Sequence, residues 1–208
     1  MKVQKKEFII AITGASGCLY ALKLIEILQE STVVTKVNII VSESANHVIT
    51  NEIESEWALF KKQYRKNKKI HYYSPKDLSA SFASGNAYAE AMIIVPCSMK
   101  TIAGIASGYS SNLILRAADV MLKENKKLIL VPRETPLNYI HLRNLLLLKK
   151  AGAIILPAMP AFYFKPATIN DLVEFIVAKI LKQLHITHPI EKIWNILNDR
   201  NNSKNDKI

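Results

Sequence analysis

The sequence predicts a doubly wound α/β fold, a parallel sheet with helices on both faces. Three observations lead there. The strands are short, almost unbroken apolar runs, as strands covered on both faces require. Helical segments alternate with them, as parallel crossovers require. The five strand ends carry, in order, "TGASG", Ser42, "PCSMKT", "PRETP" and "PAMPAFY". Polar groups thus gather on one rim, and doubly wound sheets bind ligands beyond the carboxyl ends of their strands.

Phe8 to Ile12 reads as the first strand, "TGASG" as its turn, and Cys18 to Gln29 as a helix by its periodicity. Val33 to Val41 is the second strand, followed by a helix-like segment. The region from the basic run to "SASFASGNAYAEA" reads as less regular. Met92 to Val95 is the third strand. Two helices follow, the second carrying "LILRAADVMLKE". Leu128 to Val131 is the fourth strand, "YIHLRNLLLLKKAG" the next helix, and Ala153 to Leu156 the fifth strand. A long helix runs from Ile169 to about Leu184. With no repeat and no inner boundary, residues 1–194 are expected to form one domain. The polar tail 195–208 is expected to be disordered.

Composition narrows the class. Of 208 residues, 50% are hydrophobic and 22% charged, which is globular. The net charge of +11 suggests nucleic acid. Its distribution points elsewhere: the run "KKQYRKNKK" (Lys61 to Lys69) has one aromatic and no zinc-ligand pattern, and reads as a solvated helix face. Two distant cysteines, Cys18 and Cys97, make neither a disulfide scaffold nor a metal cluster, so a reducing cytoplasm is expected. The apolar stretch near the N-terminus is too short for a signal peptide, and nothing approaches the ~18 apolar residues of a membrane span.

Among the motifs, "TGASG" alone is weak, being neither GxGxxG nor a P-loop. Gly14 and Gly17 would still let backbone approach a ligand, and the helix start can hold phosphate. "PCSMKTIAG" offers the Ser98 and Thr101 hydroxyls, the Lys100 charge and another helix start. Cys97 reads as an inert buried thiol, and Ser98 lacks a nucleophile elbow. His141 reads as structural. Arg116 and Lys123 share a helix face, with Asp119–Lys123 an (i, i+4) ion pair as the plainer reading. "PRETP" is harder to explain by structure alone, since Arg133 and Glu134 stand at a buried strand's end between two prolines that stiffen the backbone.

Taken together, "TGASG", "PCSMKT", "NLILRAADVMLKE", "VPRETPL" with the following "HL", and "LPAMPAFYFKP" resemble the flavin prenyltransferases, the UbiX family, from about Phe8 to Trp194. The resemblance implies a flavodoxin-like (Rossmann-like) three-layer fold, commonly assembled as a dodecamer. It implies transfer of a dimethylallyl group from dimethylallyl monophosphate to N5 and C6 of reduced FMN, closing a fourth ring. The product, prenylated FMN, would serve a partner decarboxylase of the UbiD type. On this resemblance Gly14, Ala15, Ser16, Ser42, Ser98, Met99, Lys100, Thr101 and Arg133 hold FMN. Ser84, Gly85, Lys123, Arg133, Tyr163 and Lys179 hold the prenyl phosphate. Glu134 works as acid–base at the departing phosphate, and Glu52 with Ser16 in proton movement at the flavin.

Elementary chemistry agrees with those roles. Breaking an allylic C–O bond expels phosphate, whose growing charge must be met by cations and a proton. No aspartate-rich DDxxD cluster for Mg²⁺ occurs, so Lys, Arg, Tyr and a protonating Glu are expected to act without metal. Charged hydrogen bonds of this kind are each worth ~1.5–3 kcal/mol. Lys179 stands where the family often has arginine, which keeps the charge but loses the bidentate fork. Trp194 falls near an aromatic that can face the prenyl pocket in some members, with packing of a tail tryptophan against the core an equal reading. The rivals are a flavin-dependent cysteine decarboxylase, which would carry a "PMN"-type turn where this chain has "PRETP", and a non-catalytic FMN-binding protein. A nucleic-acid binder ranks last.

Overall fold

The computed structural model describes residues 5–85 and 89–190, so Trp194 and the tail 195–208 lie outside the described residues. The chain divides into two compact units after Ala158. In the first, six strands alternate with five helices: β1 (Lys6–Ile12), α1 (Cys18–Glu30), β2 (Val34–Val41), α2 (Glu43–Gln63), β3 (Ile70–Tyr73), β4 (Ala91–Cys97), α3 (Met99–Ala106), α4 (Leu113–Lys123), β5 (Lys127–Pro132), α5 (Tyr139–Lys150) and β6 (Ile154–Ile155). The second unit holds α6 (Ile169–Leu184), with the bounds expected from sequence. A Thr168–Asp171 capping box starts it, and His185 in the left-handed region ends it.

All strands pair in parallel, in the order β3-β2-β1-β4-β5-β6. The order reverses at β1, so right-handed crossovers run both ways and clothe both faces. All seven residues of the central strand β4 are buried, which is why it reads as one apolar run.

Two differences from the sequence reading have simple causes. The segment Ile70–Tyr73 is a strand, where irregular chain was expected. It is an edge strand whose His71 and Tyr72 are exposed, so it lacks the apolar run that marks the inner strands. The basic run is a helix face only through Gln63. Beyond it the Lys69 ammonium donates to the carbonyls of Gln29 and Ser31, 2.9 Å each, and so neutralises the C-terminal end of α1.

The ends of the strands are in register. Ile12 pairs with Val41 and Cys97 with Pro132, so Thr13, Ser42, Ser98 and Arg133 each stand one residue past a paired end. Ser42 N–H donates to the Ile12 carbonyl at 3.0 Å, and Arg133 N–H to the Cys97 carbonyl at 3.3 Å. Between β1 and β4 the tie is a side chain. Thr13 is 1% exposed; its hydroxyl donates to the Pro96 carbonyl (2.9 Å) and accepts the Ser98 N–H (2.8 Å). Its own N–H also reaches Pro96, at 3.2 Å.

Thr13→Val keeps the shape but leaves the Ser98 N–H without its acceptor. A loss of about 1–3 kcal/mol is expected, read as a lower urea midpoint at unchanged slope.

Candidate active site

Three helices begin at one cleft on this rim. Ser42 caps α2, Ser98 caps α3 and Asn112 caps α4, each side chain accepting the N–H three residues on, from Ala45, Thr101 and Leu115. All three caps line a cleft of about 210 Å³ with Ser44, Lys100, Thr101, Tyr109 and Ser111. An adjoining space of about 350 Å³ adds Glu43, Pro75 and Lys76. Each helix start keeps further N–H groups for a ligand and contributes about half a positive charge. Together with Lys100 they favour an anion such as phosphate. Lys76 is paired with Glu43 at 2.7 Å, and that ion pair, reinforced by Lys100, holds the Glu43 carboxyl below the ordinary range.

Of the expected flavin residues, Ser42, Ser98, Lys100 and Thr101 come together here, the two hydroxyls of Ser98 and Thr101 bonded at 3.0 Å. A Cβ on Gly14 would stand 2.5 Å from Ser44 Oγ, so only glycine lets β1's exit pass beside the start of α2. Ala15 and Met99 are buried and line neither space. Ser44, Lys76, Tyr109, Ser111 and Asn112 were missed. For Asn112 a signal existed, a polar cap directly before the apolar run "LILRAADVML".

A second group forms at the start of α1. Its cap, Gly17, has φ 108° and no side chain, and no acid lies in the helix's first turn. The carboxylate comes from Glu52, just before the kink of α2 at Ile53, and it accepts the N–H of Gly17 (2.9 Å) and of Cys18 (3.0 Å). Partial burial works to raise its pKa. Hydrogen bonds from the Ser16 hydroxyl and the two N–H groups, with the nearby Arg133 charge, prevail and hold it below the ordinary value. The structure thus brings Ser16, Glu52 and Arg133 together at this end of the rim. The same carboxylate, added to burial, pushes the Cys18 thiol up to about 12. Burial raises Cys97 as well, so neither thiol is a nucleophile at neutral pH.

A third group is Gly85 with Lys123. A Cβ on Gly85 would lie 2.7 Å from Glu124 Oε1 and 3.4 Å from Lys123 Nζ. Lys123 pairs with Glu124 at 3.4 Å, while Asp119 pairs with Arg116 at 2.9 Å. The expected Asp119–Lys123 pair is therefore replaced by pairs with nearer neighbours on each side. Arg116 Nε also donates to the Ala83 carbonyl at 2.9 Å, tethering the loop that carries Ser84 and Gly85. Glu134 is half-buried, and its carboxylate accepts the Thr135 N–H at 3.1 Å. Arg133 is exposed. His141 completes the α5 capping box with Asn138, a structural role as expected.

Within the second unit, Tyr163 and Lys179 share Phe175. The Tyr163 ring meets it edge-on at 6.3 Å, and Lys179 Nζ stands 5.2 Å from its centroid. Among the described residues no group of three or more His, Cys, Asp or Glu could hold a metal ion. Nor is any described helix long and apolar enough to cross a membrane.

The sequence pattern of the family described as "Flavoprotein" matches residues 1–181. A "Flavin prenyltransferase UbiX" of Methanocaldococcus jannaschii is 44% identical over 188 residues, 90% of this chain and 98% of its own length. Another of that name, from Chlamydia pneumoniae, is 45% identical and spans 91% and 98%. The chain belongs to the flavin prenyltransferase (UbiX) family. A solved UbiX-like relative, dodecameric, FMN-dependent and described as a decarboxylase, comes from Escherichia coli O157:H7. It is 39% identical at TM-score 0.81, covering 88% of this chain and 96% of that one. The structure of AnUbiX (PadA1) with FMN and dimethylallyl pyrophosphate is 38% identical at TM-score 0.78, covering 86% and 92%. A peptidyl-cysteine decarboxylase, 20% identical at TM-score 0.55, shares the fold alone.

In this UbiX-family chain the Glu52 contact gives a pH prediction. Its folded pKa is depressed, so its stabilisation is present above the unfolded pKa and lost as pH falls through the folded value. Urea unfolding of the protein and of Glu52→Gln is therefore expected to differ at neutral pH, with the gap closing on acidification below about pH 4.

Proposed function

We propose that the chain is a flavin prenyltransferase that joins the dimethylallyl group of dimethylallyl monophosphate to N5 and C6 of reduced FMN, releasing phosphate. The observation that carries this reading is the convergence of three helix starts and Lys100 on one rim cleft, in a chain of the UbiX family. The cleft fits the phosphate end of FMN. Reduced FMN, when bound, supplies the nucleophilic nitrogen and carbon.

The chain's own residues do the rest. Ser42 and the Ser98–Thr101 segment hold the flavin phosphate, with Gly14, Ala15, Ser16 and Arg133 beside the ring. Ser84, Gly85, Lys123 and Arg133 receive the donor's phosphate. As the donor's C–O bond breaks, Glu134 gives a proton to the leaving phosphate. The bond to Thr135 N–H holds this carboxyl at the rim. Glu52 and Ser16, already hydrogen-bonded, take up and return a proton at the flavin. Positive charge from Lys and Arg meets the phosphate without a metal.

The product passes to a UbiD-type decarboxylase, the chain works as a homo-oligomer, a dodecamer like its E. coli relative, and it acts in the cytoplasm. Decarboxylation, the activity named for that relative, is the second reading. Prenyl transfer is favoured because "PRETP" supplies an acid and a cation where a leaving phosphate needs both.

Glu134→Gln is expected to slow anaerobic prenyl transfer ~10²–10³-fold while leaving FMN affinity within about twofold. An unchanged rate would remove Glu134 as the acid. Lys123→Ala is expected to raise the donor's Kd roughly 10-fold or more with little effect on FMN, and equal losses in both titrations would contradict its place at the donor phosphate. Turnover is expected to survive EDTA, and restoration only by added Mg²⁺ would refute the metal-free route.

A further inference from the structure

We propose that Glu43 is a built-in competitor for the flavin's phosphate: its carboxylate holds Lys76 at the cleft mouth when the flavin is away, and so speeds the flavin's release. This rests on the reading above, in which the rim cleft receives that phosphate.

The two adjoining spaces at the rim share Ser42, Ser44, Lys100, Ser111 and Asn112. Their polar and charged groups suit an anion, with one exception. Glu43, the first residue of α2, is the single acid among the described residues that line either space. Its carboxylate stands 2.7 Å from Lys76 Nζ, in an ion pair whose side chains are 74% and 80% exposed. Lys100 also acts on it, and the two cations keep the carboxyl in its charged form. Asp77, beside Lys76 in the chain, is turned to its own loop, where it accepts the Ser79 N–H at 3.0 Å and hydroxyl at 2.6 Å. Glu43 therefore sets a full negative charge beside a cleft that three helix starts and Lys100 make attractive to phosphate.

An acid in the first turn of a helix is ordinary, because it meets the helix's positive end. Here the same helix start and the same two lysines serve a phosphate in the cleft. A phosphate monoester brings nearly two charges and three acceptor oxygens against the carboxylate's single charge, so it displaces Glu43 from Lys76 on arrival. When it departs, Glu43 takes Lys76 back, and neither charge is left without a partner. Because both side chains are exposed, breaking their pair costs little and the exchange is easy. The apparent affinity for the flavin falls by the fraction of molecules in which Glu43 occupies the cation.

Such a competitor suits a flavin that is consumed. A resident cofactor gains from the tightest phosphate site. A flavin that enters as substrate and leaves as product does not, since gripping both equally tightly only slows release.

Titration and stopped-flow release of FMN and of riboflavin, which lacks the phosphate, separate the two layers in the full chain. The unaltered protein is expected to bind FMN more tightly than riboflavin. Equal affinities would overturn the phosphate reading of the cleft, and the competitor with it. Glu43→Gln is expected to bind FMN at least about threefold more tightly at low salt, mainly through slower release, with riboflavin unmoved. That gain is expected to fade at about 1 M salt, where the screening length is about 3 Å. With FMN still preferred over riboflavin, unchanged or weaker FMN binding by Glu43→Gln would overturn the competitor alone, as would a gain shared by riboflavin. A merely structural acid at a helix start predicts no gain. Lys76→Met is expected to weaken FMN about threefold, by removing a cation and leaving Glu43 to face the phosphate, and an unchanged FMN Kd would also overturn the competitor.

Discussion

The site depends on one buried hydroxyl. Thr13 joins the ends of β1 and β4, where the strand order reverses and the two strands' crossovers diverge. The β1–β4 ladder ends at Ala11 and Ile94, and beyond it the tips are joined by the Thr13 N–H to Pro96 and by this hydroxyl, which bridges both Pro96 and Ser98. With it, Thr13 and Ser98 stand level, and Ser42 and Arg133 follow from the register of the neighbouring strands. A threonine suits the position. Its hydroxyl can donate to one strand and accept from the other at once, and its branched body fills a dry site.

Once the tips are level, charge does the organising. α2, α3 and α4 all begin at the same cleft, and their partial positive ends add to Lys100. α1 is treated differently, its N-terminus being closed by the Glu52 carboxylate. One helix start is therefore committed to a protein carboxylate, while three face the open cleft. The rim is divided between a helix start closed by a carboxylate, at Ser16 and Glu52, and an open cleft whose charge favours an anion. Such a division suits a reaction that moves a proton at a flavin and expels a phosphate.

Much of this was legible in the sequence, for identifiable reasons. Inner strands of a doubly wound sheet are buried on both faces, so β1, β2, β4 and β5 appear as apolar runs and their polar ends as motifs. Edge strand β3 has no such run, and its existence depends on pairing with β2. Thr13 looked like part of a glycine turn, because its role lies in a contact 83 and 85 residues away. Glu52 sits on a helix beside Glu54 and Glu56, and nothing local distinguishes it; only the family resemblance singled it out. Lys123 and Asp119 had the spacing of a pair, yet each found a nearer partner, because side-chain direction as well as spacing decides which charges meet. The convergence of three helix starts depends on the sheet order, which no single motif encodes.

The most direct measurement is the mass of the flavin. The protein, FMN reduced with dithionite, and dimethylallyl monophosphate are incubated without oxygen, and the flavin is then extracted for mass spectrometry. A flavin heavier by one five-carbon prenyl unit, absent when the protein is left out, is the expected result. Bound but unmodified FMN, with dimethylallyl pyrophosphate equally inert, would contradict prenyl transfer and leave an FMN-binding fold with another task.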